Sequence, residues 1–382
     1  MITLPAFKES FAALVAAPTV SSTDPRHDQS NLPVADLLAN WFADLGFAVE
    51  TMPVNGTGDK VNLIASLGTG SGGLVLSGHT DTVPYTESAW HQDPFRLTER
   101  DGRFYGLGTS DMKCFFPIVM EVLRSLDLKQ TKHPIILLAT CDEECTMAGA
   151  KALVDADRGL GRHALIGEPT GLKPVIMHKG VMSETITLRG KAGHASNPSF
   201  GNNALEGMQQ VMGALAEWRG RLQEYASVKF DVPGPTLNFG CIHGGDSPNR
   251  ICAECELKID LRVLPGMQID EVRKELRQVV TRAVAGSGLV VEFDGIFPGT
   301  PPMETDPDSE IVRVAEKLSG HAAGSVNFGT EGPYLNSLGM DTVVLGPGDI
   351  DQAHQANEYI EQKRIQPMQD LLEKLIVHFC MS

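Results

Sequence analysis

PIILLATCDEEC, residues 134–145, carries an unbroken apolar run from Ile135 to Ala139 straight into three consecutive acids. A run of that length, bounded by polar residues, reads as a strand buried on both faces, as in parallel sheets covered by helices. Asp142, Glu143 and Glu144 side by side at its end are electrostatically unfavourable unless positive charge lies nearby. Working outward, GLVLSGHTD (73–81), VNLIASLG (61–68), HALIGEP (163–169) and TVVLGPG (342–348) read as further strands. LPVADLLANWFADLGF (32–47), MKCFFPIVMEVLRSL (112–126) and IQPMQDLLEKLIVHF (365–379) read as helices. Strands alternating with helices predict an α/β fold with a parallel sheet. In such sheets reactive groups gather beyond the carboxyl ends of the strands. His79, Asp81, the 142–144 triplet and Glu168 all fall where apolar runs stop.

The pattern changes near residue 180. SETITLRG, NALEGMQQVMGALAEW, TLNFGCIHGG, CELKIDLRVL, IDEVRKELRQVVTRAV and LVVEFDG give the order β-α-β-β-α-β. Leu257, Ile259, Leu261 and Val263 alternate with Lys258, Asp260 and Arg262, so this sheet has one wet face. The order predicts a ferredoxin-like sandwich of about a hundred residues. The organisation expected is one α/β domain built from 1–179 and 295–382, interrupted by an inserted α+β domain at 180–294.

A chain of 382 residues exceeds the size at which one core usually stops growing, so two domains are the default. A net charge of −16 argues against nucleic acid or an anionic membrane as partner. The first twenty residues have no basic segment, and Lys8 and Glu9 interrupt their apolar stretch. No signal peptide and no membrane span is expected. Seven irregularly spaced cysteines read as free thiols in a reducing cytoplasm. CAEC (252–255) has no second pair downstream, and strand alternation would turn its two thiols to opposite sides, against a zinc knuckle.

His79 and Asp81 stand two apart in an extended segment and can address one site. A metal-binding histidine usually gives its second ring N–H to a carboxylate or carbonyl, which Asp81 can supply. Asp111 in GTSDMK, Glu168 in GEPT and His354 in GPGDIDQAHQ each read, alone, as a cap or loop residue. Together, two histidines and several carboxylates at strand ends fit a two-metal site that activates water for hydrolysis. Imidazole with carboxylate suits zinc, with cobalt or manganese as substitutes. Adjacent glutamates then have a use: one binds metal, and the other takes and returns a proton.

SGHTDTVP, GLGTSDMK, ATCDEE, GEPT, GKAGHAS and QAHQANEY, in this order, resemble the co-catalytic zinc amidohydrolases related to carboxypeptidase G and succinyl-diaminopimelate desuccinylase. The likeness spans nearly the whole chain. It implies a zinc-peptidase-like catalytic domain with an inserted lid and dimerisation domain. It implies His79 and Glu168 on one metal ion, Glu144 and His354 on a second, and Asp111 bridging both. Asp81 would orient His79, Glu143 would be the general base, and the peptide after Asp111 would be cis. His194 would stabilise the oxyanion from the partner subunit of a homodimer. Asn249 and Arg250 match lid residues that hold a substrate carboxylate.

DQSN, FADLGFAVE, IHGGDSPNRIC and VVLGPGDIDQAHQ are most similar to a branch of the family that removes an acetyl group from an amino acid bearing a cationic side chain. Glu331 in GTEGPY is the candidate partner for that cation. Other readings are a desuccinylase, a broad aminoacylase, a dipeptidase, or a non-catalytic binding protein on the same scaffold. Cys114 replaces the glycine that commonly follows DMK in the family, but the ligand set is complete without it.

Overall fold

The computed structural model describes residues 4–295 and 297–382. The chain divides into two compact units, one of Met1–Ile176, Thr305–Gly324 and Thr330–Ser382, the other of Met177–Glu304 and Ser325–Gly329.

In the first unit, the strands Ala48–Pro53, Val61–Leu67, Ile135–Thr140, Leu74–His79, His163–Ile166 and Asp341–Val344 lie side by side in that order. The last four run parallel to one another. Every residue of Leu74–His79 and of Ile135–Thr140 is buried, which explains why both read as apolar runs without alternation. Leu32–Asp44 buries Val34, Ala35, Leu38, Trp41 and Phe42, a single helical stripe. It stops at Gly46, whose φ of +89° an L side chain rarely adopts. Phe115–Ser125 is the most buried helix, with eight of its eleven residues in the core. Ile365–Ile376 packs against it.

The second unit has the predicted β-α-β-β-α-β order: Gly180–Arg189, Ala204–Leu222, Thr236–Gly244, Glu254–Val263, Ile269–Ala283, Val290–Asp294. Its sheet is antiparallel, with the strands in the order Thr236–Gly244, Glu254–Val263, Gly180–Arg189, Val290–Asp294. That is the ferredoxin-like arrangement. Leu257, Ile259, Leu261 and Val263 are buried, while Arg262 pairs with Asp260 at 2.8 Å on the opposite face. Ala204–Leu222 packs on Ile269–Ala283 and across the sheet. The sequence reading of CAEC needs a correction. Cys252 precedes the strand and Cys255 lies within it, so alternation does not apply, and both are buried.

Candidate metal centre

The parallel register gathers the site. His79 lies opposite Thr140, and Ser77 lies opposite Ile166. His79, the 142–144 triplet and Glu168 therefore leave the sheet at one edge. Asp341–Val344 runs parallel to His163–Ile166 and leads into the segment bearing His354. Asp111 arrives from the loop before Phe115–Ser125, and the peptide between Asp111 and Met112 is cis. Two glycines allow that segment to press on the strands. A Cβ on Gly78 would lie 2.6 Å from Met112 Cε, and one on Gly167 would lie 2.3 Å from the Phe115 ring.

The two oxygens of Asp111 face different histidines. Oδ1 is 3.0 Å from His79 Nε2, and Oδ2 is 3.6 Å from His354 Nε2. His79 Nε2 is also 3.8 Å from Glu168 Oε1, and His354 Nε2 is 2.9 Å from Glu144 Oε2. Donor atoms of His79, Glu143 and Glu168 lie within 4.8 Å of one another, as do those of His79, Asp111 and Glu144. Glu143 thus stands in one potential donor group with His79 and Glu168. Its carboxylate makes no hydrogen bond among the described residues, whereas that of Glu144 is engaged by His354.

Asp81 holds the triplet more directly than it holds His79. Its carboxylate accepts from the amides of Glu143 and Glu144 at 3.3 and 3.1 Å. The nearest acceptor for His79 Nδ1 is the main-chain carbonyl of Asp81 at 3.1 Å, with the carboxylate at 3.6 Å. Asp142 separates from its neighbours altogether. It accepts from Lys60 Nζ at 2.5 Å and from Ser21 Oγ at 3.1 Å. Lys60 is buried and also donates to Asp28 at 2.7 Å. Burial works against the Lys60 charge, but these two carboxylates hold its pKa above the ordinary lysine value.

Charge balance tests whether metal ions fit. Asp81, Asp111, Glu143 and Glu168 are buried, and the Glu144 carboxylate is almost wholly so. Their ion pairs, among the described residues, are with His79 and His354 alone. Burial, then repulsion from Glu168, pushes Glu143 well above the usual carboxylate range. Burial, then Asp111, does the same to Glu168. His354 is raised to about 9, chiefly by its hydrogen bond with Glu144. Glu168 Oε1 is buried without a hydrogen-bond partner. Crowded buried carboxylates need positive charge from protons or from cations, and the donor set is imidazole and carboxylate. Divalent ions fit such a set, and the donors gathered here are His79, Asp111, Glu143, Glu144, Glu168 and His354. The Cys114 thiol is fully buried, and burial raises its pKa well above normal. No cysteine joins either donor group among the described residues.

Glu331 lies under the same strand ends, 1% exposed, with Oε1 lacking a hydrogen-bond partner. Burial raises its pKa to about 7. Two residues had no assigned role from sequence. Lys113 is buried and donates to the carbonyls of Leu14 and Ala17 at the end of helix Phe7–Ala16. Glu358 is 2% exposed and faces the Asp111 loop. Neither leaves a mark in the sequence beyond its position in a quoted motif.

In the second unit, Gly193–His194 pairs antiparallel with Arg250–Ile251, placing His194 opposite Arg250. The Ala195 amide donates to the Asn249 carbonyl at 3.0 Å. His194 Nδ1 lies 2.8 Å from Ser196 Oγ, and the ring is exposed. Arg250 forms an ion pair with Asp246.

Residues 75–378 match the model of peptidase family M20/M25/M40. The chain is 45% identical, over 99% of its own length and 99% of the relative's, to acetylornithine deacetylase of Pasteurella multocida. It is similar in structure to a tripeptidase from Staphylococcus aureus, with TM-score 0.76, 20% identity and 98% of each chain covered. It is similar too to a dinuclear metal-binding M20 peptidase from Bacillus subtilis, with TM-score 0.68, 15% identity and 97% of each chain covered. With the family model covering most of the chain and a full-length relative at 45% identity, the chain belongs to peptidase family M20/M25/M40.

Proposed function

We propose that this chain hydrolyses N2-acetyl-L-ornithine to L-ornithine and acetate, in arginine biosynthesis in the cytoplasm. The observation that carries the reaction type is the pair Glu143 and Glu144, one carboxylate unengaged and one tied to His354. The substrate rests on full-length similarity to a deacetylase of that name. Two dications held by His79, Asp111, Glu144, Glu168 and His354 would supply Lewis-acid activation of the attacking water and the acyl carbonyl. Zinc is proposed, with cobalt or manganese as substitutes.

The chain's own residues do the rest. Asp81 fixes the main chain at Glu143 and Glu144. Glu143 takes a proton from the attacking water and returns it to the departing nitrogen as the C–N bond breaks. The active form is a homodimer joined through the second unit. The partner subunit's His194 donates to the oxyanion, and Asn249 with Arg250 holds the substrate carboxylate. Glu331 pairs with the cationic side-chain amine, since an unpaired buried carboxylate oxygen favours a cationic group.

The test is a kinetic panel of N-acetyl and N-succinyl amino acids with the zinc-loaded protein and with Glu331→Gln. N2-acetylornithine should be the best substrate. Glu331→Gln should lower kcat/KM on it at least tenfold more than on neutral N-acetylmethionine. Preference for a succinylated substrate would overturn the assignment, and equal losses on both acetylated substrates would overturn the Glu331 role.

A further inference from the structure

We infer that Glu358 is the positioning residue for Asp111: it ties the Asp111 loop to the segment that carries His354, and thereby sets the geometry in which one carboxylate serves two ions. The inference rests on the proposed reading of Asp111 as the bridge. Glu358 Oε1 accepts from the amides of Ser110 and Asp111 at 2.6 and 3.0 Å, and Oε2 accepts from the Gly108 amide at 2.9 Å. Both oxygens are thus engaged by main-chain donors, which distinguishes Glu358 from the carboxylates proposed to hold the ions. Its own carbonyl accepts from the Gly106 amide at 3.1 Å. One residue therefore closes four hydrogen bonds across some 250 positions of chain.

The connection matters because of what flanks it. His354 stands four residues before Glu358, and both His354 and Asn357 have φ near +60°, a region uncommon for residues other than glycine although Asn and His enter it more readily than most. The loop on the other side is held a second time. Ser110 Oγ donates to the Asp349 carbonyl at 3.1 Å and lies 2.9 Å from the Asp349 amide. Three amide donors on a buried carboxylate cannot be replaced by water without opening the core. A glutamine in its place keeps one carbonyl oxygen but turns an NH2 group toward an N–H, so the loop must shift. Groups that orient metal ligands typically change metal affinity 10–100-fold when removed.

The experiment titrates zinc and cobalt(II) into metal-free wild type, Glu358→Gln, Glu358→Asp and Asp111→Asn. It records affinity, the cobalt absorption spectrum and hydrogen exchange over residues 106–112. Glu358→Gln should bind the ions about 10–100-fold more weakly. Its cobalt spectrum should be altered, kcat should fall with KM little changed, and exchange should rise in 106–112 even without metal. Wild-type affinity, spectrum and exchange in Glu358→Gln would overturn the inference. If Glu358→Gln does not fold, Glu358→Asp gives the same readings, because the shorter side chain cannot reach all three amides. Should Asp111→Asn bind both ions as wild type does, the bridging reading fails. Exchange in metal-free Glu358→Gln then still tests the hold on the loop by itself.

Discussion

Buried carboxylates occur in both units, and the units treat them in opposite ways. Glu184 in the second unit is fully buried and takes two guanidinium groups, from Arg273 at 3.2 Å and from Arg277. At the sheet edge of the first unit, Asp81, Asp111, Glu144 and Glu168 share two histidines, and Glu143 pairs with neither among the described residues. Glu184 is neutralised by the chain itself, whereas the carboxylates around His79 and His354 outnumber the cationic groups beside them. The acidic triplet shows both treatments within three residues: Asp142 has its own lysine, and Glu143 and Glu144 have none.

Three experiments bear on this contrast. Removing metal with a chelator should abolish turnover, a loss of at least about 10³-fold, and lower the thermal midpoint, because ligands that bind only the folded state stabilise it. Adding zinc back should restore both; full activity in protein shown to be metal-free would refute the contrast at its strongest point. Next in size, Glu184→Ala leaves two arginines facing a vacated buried site. It should cost about 3–5 kcal/mol of stability in a denaturant titration, with bound metal and kcat unchanged. Smallest, Asp142→Asn should cost about 1–3 kcal/mol, since Lys60 keeps Asp28, and should leave metal stoichiometry intact. Loss of metal on Asp142→Asn would place Asp142 with its neighbours after all.

Much of this arrangement was legible in the sequence because burial on both faces writes continuous apolar runs, and their ends mark the sheet edge. Ala48–Pro53 was not foreseen: it is a largely exposed edge strand with no apolar run. Thr98–Arg100 and Arg103–Tyr105 are too short to show a period. Helix Ala148–Asp155 begins at Met147 with φ of +56° and lacks a side-chain cap, so the usual start signal is missing. At the site, the residue types and strand-end positions were readable, but their division into roles came from resemblance. Partnerships made by folding were invisible: Lys60 reaches Asp142 across 82 positions, and Glu358 reaches the Asp111 loop across about 250. The Asp81 carboxylate was expected on His79, yet its closest contacts are amides that exist as donors only once the 142–144 turn has formed.

In the proposed reaction Glu143 and Glu144 do different work, although Glu143 lies within the same donor group as Glu168. Metal stoichiometry and turnover of Glu143→Gln and Glu144→Gln, measured side by side, test it most directly. Glu143→Gln should retain two ions per chain and lose activity by about 10²–10⁴-fold, whereas Glu144→Gln should hold one ion more weakly. Metal lost from Glu143→Gln, or turnover undiminished in it, would contradict the account.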